Sequence, residues 1–292
     1  MTTPAFRRYI APARKRPQLW RLLLGIGVIL AVHVAWLGVL SLALFPLAGF
    51  PGLDGPEGIG ASPAVMVMLL LSFAGLGLGT ILAARLLHGR GAASLLGPAP
   101  LALRHFTFGA LLIGAVNGAA MLLGMGALEL KTGLAPSVWL MWLPLALIGV
   151  LIQTGAEEAV FRGYLQQQLA ARFSSAFVWM VLPSLAFGFL HFEPQMMGAN
   201  VWYVVAVTTL FGLMAADLTA RSGSLGLAWG LHFANNVFAI LIVAPQGAMS
   251  GLARWQAPFA ADDTEVMPGF LLADALLLLL IWAVCRFALR RG

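Results

Sequence analysis

Charged side chains are scarce in this chain. Its 17 Lys and Arg and 11 Asp and Glu residues make up 10% of the sequence, whereas 61% of the residues are hydrophobic. Soluble domains carry about 25% charged residues, so the composition excludes an ordinary soluble protein. Apolar runs of about eighteen residues or more recur along the chain, which is typical of a polytopic helical membrane protein.

Cysteine is almost absent as well. Cys285 is the single cysteine, which excludes a disulfide within one chain and a zinc site built on thiolates. The sequence also lacks His-Glu-x-x-His, the helical motif of many zinc proteases.

The net charge of +6 does not indicate nucleic-acid binding, because the basic residues lie in tails and short loops between apolar runs. When eight spans are threaded from a cytoplasmic N-terminus, all Lys and Arg residues except Lys131 and Arg254 fall on the cytoplasmic side. This positive-inside bias places both termini in the cytoplasm.

The sequence therefore predicts an all-α, polytopic transmembrane bundle with about eight spans. Glycines at 75, 77 and 79 in the second span are expected to allow close helix contact. The predicted spans are 22–45, 64–87, 106–128, 137–172, 177–192, 202–218, 222–243 and 269–289.

Four regions follow from these spans. A basic cytoplasmic tail (1–21) precedes three N-terminal helices (22–136). A core of four helices (137–243) carries the polar clusters described next, and an acidic extracytoplasmic loop leads into the last helix (244–292).

Three polar clusters interrupt apolar helices of this core. The first contains Glu157, Glu158 and Arg162, where Glu158 and Arg162 are spaced to pair on one helix face. Glu157 points about 100° away from Glu158 and has no such partner in its own helix. The other clusters are Phe187 with His191, and His232 with Asn236.

Helix geometry indicates that these clusters meet. Glu157 lies seventeen residues before a turn at Ser174, and His191 lies seventeen residues after it. Each is about 25 Å from the turn along its helix, so the two are level. His232 and Asn236 reach a similar depth on the seventh helix, in the cytoplasmic half of the membrane.

The clusters together favour hydrolysis of an acyl bond. A glutamate beside a histidine in an apolar cavity is suited to activating water, and a His/Asn pair supplies donors for an oxyanion. Each cluster also has a structural interpretation: an ion pair, a histidine bonded to backbone, or contact between helices. A transporter that relays protons through Glu157, His191 and Asp217 is the competing class, and a non-catalytic membrane scaffold is a third interpretation.

In this order, Glu157-Glu158-x-x-x-Arg162, Phe187-x-x-x-His191 and His232-x-x-x-Asn236 resemble the motifs of the CPBP (ABI) family of intramembrane proteases. This family includes the type II CAAX-prenyl endopeptidases. The resemblance covers the fourth to seventh helices, and the remaining spans carry no matching motif.

The resemblance implies a role for each motif residue. Glu157 would be the general base that activates water, with His191 beside it, and His232 and Asn236 would form the oxyanion site. Glu158 and Arg162, with Phe187 packed nearby, would support the geometry of the site.

The resemblance further implies a peptide or membrane-protein substrate, lipidated in eukaryotic members. The lack of a targeting segment beyond the first span suits a multi-pass protein of a bacterial inner membrane. No nucleic-acid partner is expected. A metal-free site is favoured, because His232 pairs naturally with Asn236. The alternative is a zinc ion held by Glu157, His191 and His232.

Overall fold

The structure, a computed structural model, describes residues 3–44, 60–124 and 129–291. Within these ranges six helices are long and apolar enough to cross a membrane, and two apolar helices, Phe177–Phe189 and Gly226–Ile242, are shorter. The eight helices correspond to the eight predicted spans, so the helical membrane bundle is confirmed. The six long ones are Leu19–Ala43, Pro63–His88, Ala99–Leu123, Pro136–Arg172, Pro194–Ser222 and Met267–Arg290.

The two shorter helices differ from their predicted bounds for local reasons. The fifth ends at Phe189, and the turn after it leads to Pro194, which disfavours helical backbone at the residue before it. The seventh begins at Gly226 rather than at 222, because the sixth helix continues to Ser222 and ends at Gly223, which has a φ of +69°. The predicted ends of the first and third spans, 45 and 125–128, lie outside the described residues.

The helices are numbered in chain order. They are α1 (Pro4–Ile10), α2 (Leu19–Leu44), α3 (Pro63–Ser72), α4 (Ala74–His88), α5 (Ala93–Leu96), α6 (Ala99–Gly124), α7 (Pro136–Glu158), α8 (Gln167–Arg172), α9 (Leu182–Phe189), α10 (Pro194–Met197), α11 (Val201–Ser222), α12 (Gly226–Val237) and α13 (Met267–Arg291). Short 3₁₀ turns cover Ala13–Lys15 and Gly198–Asn200, and π-helical stretches cover Ala159–Gln166, Phe177–Val181 and Phe238–Ile242.

A small sheet was not predicted from the sequence. Strand β3 (Trp255–Ala260) pairs antiparallel with β1 (Lys131–Thr132) and parallel with β2 (Val243–Gln246). Arg254, just before β3, donates from its backbone to Leu241 and from its side chain to the carbonyl of Leu134. The segment predicted as an acidic loop therefore ties the end of the seventh span to the start of α7.

Glycines set the distances between the helices that carry the site. A Cβ at Gly226 or Gly230 would overlap the backbone of Ala102 or Phe106, so α12 lies directly against α6. Small residues four apart allow this approach in membrane helices. The predicted close contact of the second span is also present, since Gly75 and Gly79 lie against the backbone of α2.

A buried polar network holds the far end of the α7–α8 helix. The guanidinium group of Arg90 donates to Gln167, to Gln168 and to the carbonyl of Gly163. His88 contacts Tyr164 and the carbonyl of Arg16. Burial lowers the pKa of Arg90 to about 10, so this guanidinium stays protonated at neutral pH. The network joins the N-terminal segment to the helix that continues from the Glu157–Glu158 motif.

Candidate active site

The two adjacent glutamates stand at the C-terminal end of α7, where the helix passes into the π-helical stretch Ala159–Gln166. Both side chains are buried, since Glu158 is 0% exposed and Glu157 is 8% exposed. Insertion of a π-helical turn into an α-helix is frequent at functional sites, because it re-aims the residues on either side. Gly163 lies within this stretch and contacts the backbone of Leu95, and the helix continues through it.

Glu158 is held by an ion pair inside the bundle. Its Oε1 accepts a hydrogen bond of 2.8 Å from Nη1 of Arg162, so the pair predicted from the spacing is present. The guanidinium lies 4.7 Å from the ring centre of Phe187 and also faces Phe161 and Phe211. Arg162 is thus compensated by one carboxylate and by the faces of aromatic rings.

His232 lies between the two glutamates. Its Nδ1 is 2.9 Å from Oε1 of Glu158, and its Nε2 is 3.4 Å from Oε2 of Glu157, an ion-pair distance without hydrogen-bond alignment. A neutral imidazole has only one N–H, so it would present a lone pair to one of these carboxylates. His232 is therefore the side chain that connects the two acids across the helix interface.

Glu157 is the less constrained of the two acids. Its Oε2 is buried and accepts no hydrogen bond from the described residues. A buried carboxylate oxygen without a donor is energetically costly, and such exceptions call for an explanation such as a catalytic role or a bound water. Oε2 of Glu158 also lacks a donor, but its Oε1 accepts two hydrogen bonds, whereas the Glu157 side chain accepts none from the described residues.

Phe187 connects His191 to this group. Its ring centre is 4.9 Å from that of His191 and 6.0 Å from that of His232. His191 lies just past the end of α9, and its Nδ1 donates to the carbonyl of Phe187 at 2.9 Å. Nε2 of a neutral His191 is then the lone-pair nitrogen. Among the described residues no hydrogen bond joins His191 directly to Glu157.

Asn236 lies one helical turn beyond His232 and bonds to a residue that was not predicted. Its Nδ2 donates to Oε1 of Gln153 at 2.9 Å. Gln153 precedes Glu157 by four residues, so Gln153 with Asn236 and Glu157 with His232 form successive pairs between antiparallel helices. The helical spacing of Gln153 from Glu157 was the signal that could have identified it.

The structure therefore gathers most of the predicted site. Glu157, Glu158, Arg162, Phe187 and His232 form one contiguous cluster. His191 adjoins this cluster through the ring of Phe187, and Asn236 adjoins it through Gln153 on α7.

The three residues of the alternative zinc site are brought together only in part. Glu157 and His232 are neighbours, whereas His191 adjoins them through the ring of Phe187. In the described part of the chain, no three His, Cys, Asp or Glu side chains are grouped so that they could hold a metal ion.

The proton relay of the transporter interpretation also lacks a connection. Asp217 accepts hydrogen bonds from Arg221 and Trp282. No hydrogen bond between described residues links it to Glu157 or His191.

Comparison with known proteins identifies this region. Residues 136–238 match the family model described as type II CAAX prenyl endopeptidase Rce1-like. The segment contains every predicted motif residue from Glu157 to Asn236. The match supports assignment of this segment to the CPBP family of CAAX proteases, so the resemblance predicted from the three motifs is confirmed over these residues.

A curated relative gives a narrower comparison. An uncharacterized protein of Bacillus subtilis (strain 168), YyaK, is 35% identical over 115 residues. The alignment covers 39% of this chain and 38% of the relative's length. No solved structure matches the chain at a significant level.

The different environments of the two glutamates predict different effects on stability. Glu158→Gln leaves the buried Arg162 without its charge partner and should destabilise the protein by about 3–5 kcal/mol. Glu157→Gln keeps the shape of a side chain that holds no such ion pair, so it should change the thermal unfolding temperature much less. Thermal unfolding of both variants in detergent measures the difference, and equal unfolding temperatures would contradict these assignments.

Proposed function

We propose that this protein is an intramembrane endopeptidase of the CPBP family, in which Glu157 activates the attacking water. The observation that supports this most directly is the buried Oε2 of Glu157, which accepts no hydrogen bond and lies 3.4 Å from Nε2 of His232. Both residues fall inside the segment that matches the family model.

In the proposed reaction, a water oxygen attacks the carbonyl carbon of the scissile peptide bond, and Glu157 takes one proton from that water. The carbonyl oxygen gains negative charge in the tetrahedral intermediate. When the C–N bond breaks, the leaving nitrogen takes the proton from Glu157, and the carboxylate is restored. His191, which adjoins the cluster through the ring of Phe187, is proposed to assist the proton transfers through the lone pair of its Nε2.

His232 and Asn236 are proposed to stabilise the oxyanion. One N–H of the Asn236 amide donates to Gln153, and an amide has two N–H bonds. The second N–H is assigned to the oxyanion together with the Nε2–H of His232, because Nε2 makes no hydrogen bond to the described residues, whereas Nδ1 is bonded to Glu158. Gln153 fixes the orientation of the amide before substrate arrives, so little reorganisation is needed in the transition state.

Glu158, Arg162 and Phe187 are proposed to position these groups. Glu158 bonds Nδ1 of His232 and thereby fixes which way the ring faces. Phe187 separates the guanidinium from His191 while contacting both. Outer groups that orient a catalytic histidine in this way commonly matter for the rate.

The proposed setting is the cytoplasmic half of a bacterial inner membrane, with lipid around the bundle and a peptide or membrane-protein substrate, lipidated or not. A buried site excludes bulk water, which strengthens each electrostatic contact in it. The proposed mechanism is metal-free, since no three His, Cys, Asp or Glu side chains among the described residues are grouped to hold a metal ion, and no step is assigned to a metal.

The proposal is tested by comparing peptide termini. Cells producing the wild type and cells producing Glu157→Gln are analysed by terminus-selective mass spectrometry, with the exposed Glu193→Gln as the matched control. We expect new termini with the wild type and with Glu193→Gln, and none with Glu157→Gln, because an amide cannot take the proton. The same termini with all three proteins would show that the protein acts otherwise, as a scaffold or transporter.

The oxyanion role of Asn236 predicts an effect on kcat. With a peptide spanning a cleavage site found in that comparison, Asn236→Ala should lower kcat by roughly 100- to 1,000-fold and leave KM nearly unchanged. The control is Asn235→Ala, which changes the neighbouring residue about 100° around α12. A change in KM alone, or equal losses in the two variants, would indicate that Asn236 serves only the contact with Gln153.

Metal independence is a separate prediction. The purified protein should keep its activity after treatment with a strong chelator and should contain far less than one zinc per chain by elemental analysis. The physical reason is that the described His, Cys, Asp and Glu side chains form no group of three that could hold a metal ion. Inactivation by the chelator, with recovery on adding zinc, would favour the metalloprotease.

A further inference from the structure

A cleft of about 210 Å³ lies away from the glutamate cluster, between α11, α13 and the π-helical stretch Phe177–Val181. Leu210 and Leu213 line it on α11, Leu279 lines it on α13, and Met180 lines it from the third side. These side chains are apolar, and Leu279 is exposed, so the cleft opens to the side of the bundle. Leu210 and Asp217, which both line it, lie about 10 Å apart along α11.

The end of the cleft near Asp217 and Trp282 is polar. Both carboxylate oxygens of Asp217 are 2.9 Å from Nε of Arg221, and one of them also accepts from Nε1 of Trp282 at 3.0 Å. Nε of Arg286 lies 3.6 Å from the same carboxylate. Two guanidinium groups therefore share one carboxylate, which leaves a local excess of one positive charge.

Both arginines have unused donors. Among the described residues, the terminal nitrogens of Arg221 and Arg286 make no hydrogen bond, and Nε of Arg286 is buried without one. The Arg286 guanidinium lies 4.6 Å from the ring centre of Trp282. Planar guanidinium groups bind phosphate oxygens through paired N–H bonds.

The two arginines also lie at a suitable depth. Each is in the last part of its helix, and the charge distribution assigns the ends of α11 and α13 to the cytoplasmic side. A phosphate at this depth is that of a lipid headgroup, with the acyl chain directed along the membrane normal into the apolar part of the cleft.

We propose that this cleft binds an anionic phospholipid of the cytoplasmic leaflet. The headgroup phosphate accepts from the terminal nitrogens of Arg221 and Arg286, on the side of the guanidinium groups away from Asp217, and one acyl chain follows Leu213 and Leu279. The charge determines selectivity, because an acyl chain gains little by leaving surroundings that are already apolar. Basic pockets between membrane helices on the cytoplasmic side bind anionic headgroups in this way. The inference is independent of the proposed proteolysis.

Native mass spectrometry of the purified full chain, titrated with phosphatidylglycerol or with phosphatidylcholine of the same acyl chains, tests the proposal. The wild type should bind phosphatidylglycerol roughly tenfold more tightly than phosphatidylcholine. Arg286→Gln should lose this preference, whereas Arg290→Gln, an equal charge change one turn further along α13 at an exposed position, should keep it. Equal binding of the two lipids by the wild type, or equal loss in both variants, would overturn the site.

A second pair of variants tests the cleft without changing charge. Leu279→Trp fills the cleft and should weaken phosphatidylglycerol binding, whereas Leu280→Trp places the same bulk on the neighbouring exposed position and should not. This pair decides the question if Arg286→Gln fails to fold. Equal affinity of Leu279→Trp and Leu280→Trp for phosphatidylglycerol would show that no chain occupies the cleft, so the proposal would be rejected.

Discussion

The burial of Arg162 is the constraint on which the rest of the site depends. A guanidinium that is 2% exposed inside an apolar bundle must be compensated, and Glu158 provides the carboxylate. The same carboxylate is also hydrogen-bonded to Nδ1 of His232, and this bond fixes the orientation of a ring on a different helix. The same guanidinium attracts the face of Phe187, which brings the end of α9 and His191 to the site. One buried charge thereby determines how three helices meet.

Close packing makes this electrostatic arrangement specific. Membrane helices gain little from excluding lipid, so their contacts depend on how closely their backbones approach. Gly226 and Gly230 bring α12 against α6, and Gly155 lets the indole of Trp229 lie across α7 and donate to Thr154. Larger residues at these glycines would push α12 outward and separate His232 from the glutamates. The glycines thus position the site although they take no part in its chemistry.

The sequence predicted the features that follow from local periodicity. The lengths of the apolar runs predicted the eight helices, and the four-residue spacing of Glu158 and Arg162 predicted their ion pair. It could not predict contacts that depend on how each helix is rotated about its own axis. For this reason the sequence predicted an oxyanion role for His232 but not its hydrogen bond to Glu158. The pairing of Asn236 with Gln153 was missed for the same reason. The strands around Trp255 were missed because such short segments carry too little periodicity to distinguish them from a loop.

The adjacency of the two glutamates has a mechanistic consequence. Neighbouring helical residues point about 100° apart, so Glu158 can pair with Arg162 while Glu157 does not. The imidazole of His232 presents one nitrogen to each glutamate, so both acids contact the same ring. Under the proposed mechanism, a change at His232 would therefore affect both the support of the site and its chemistry. The two effects are separable at Glu157, where the side chain holds no ion pair with Arg162. In this arrangement one helix turn supplies both the ion pair that supports the site and the acid proposed to activate water.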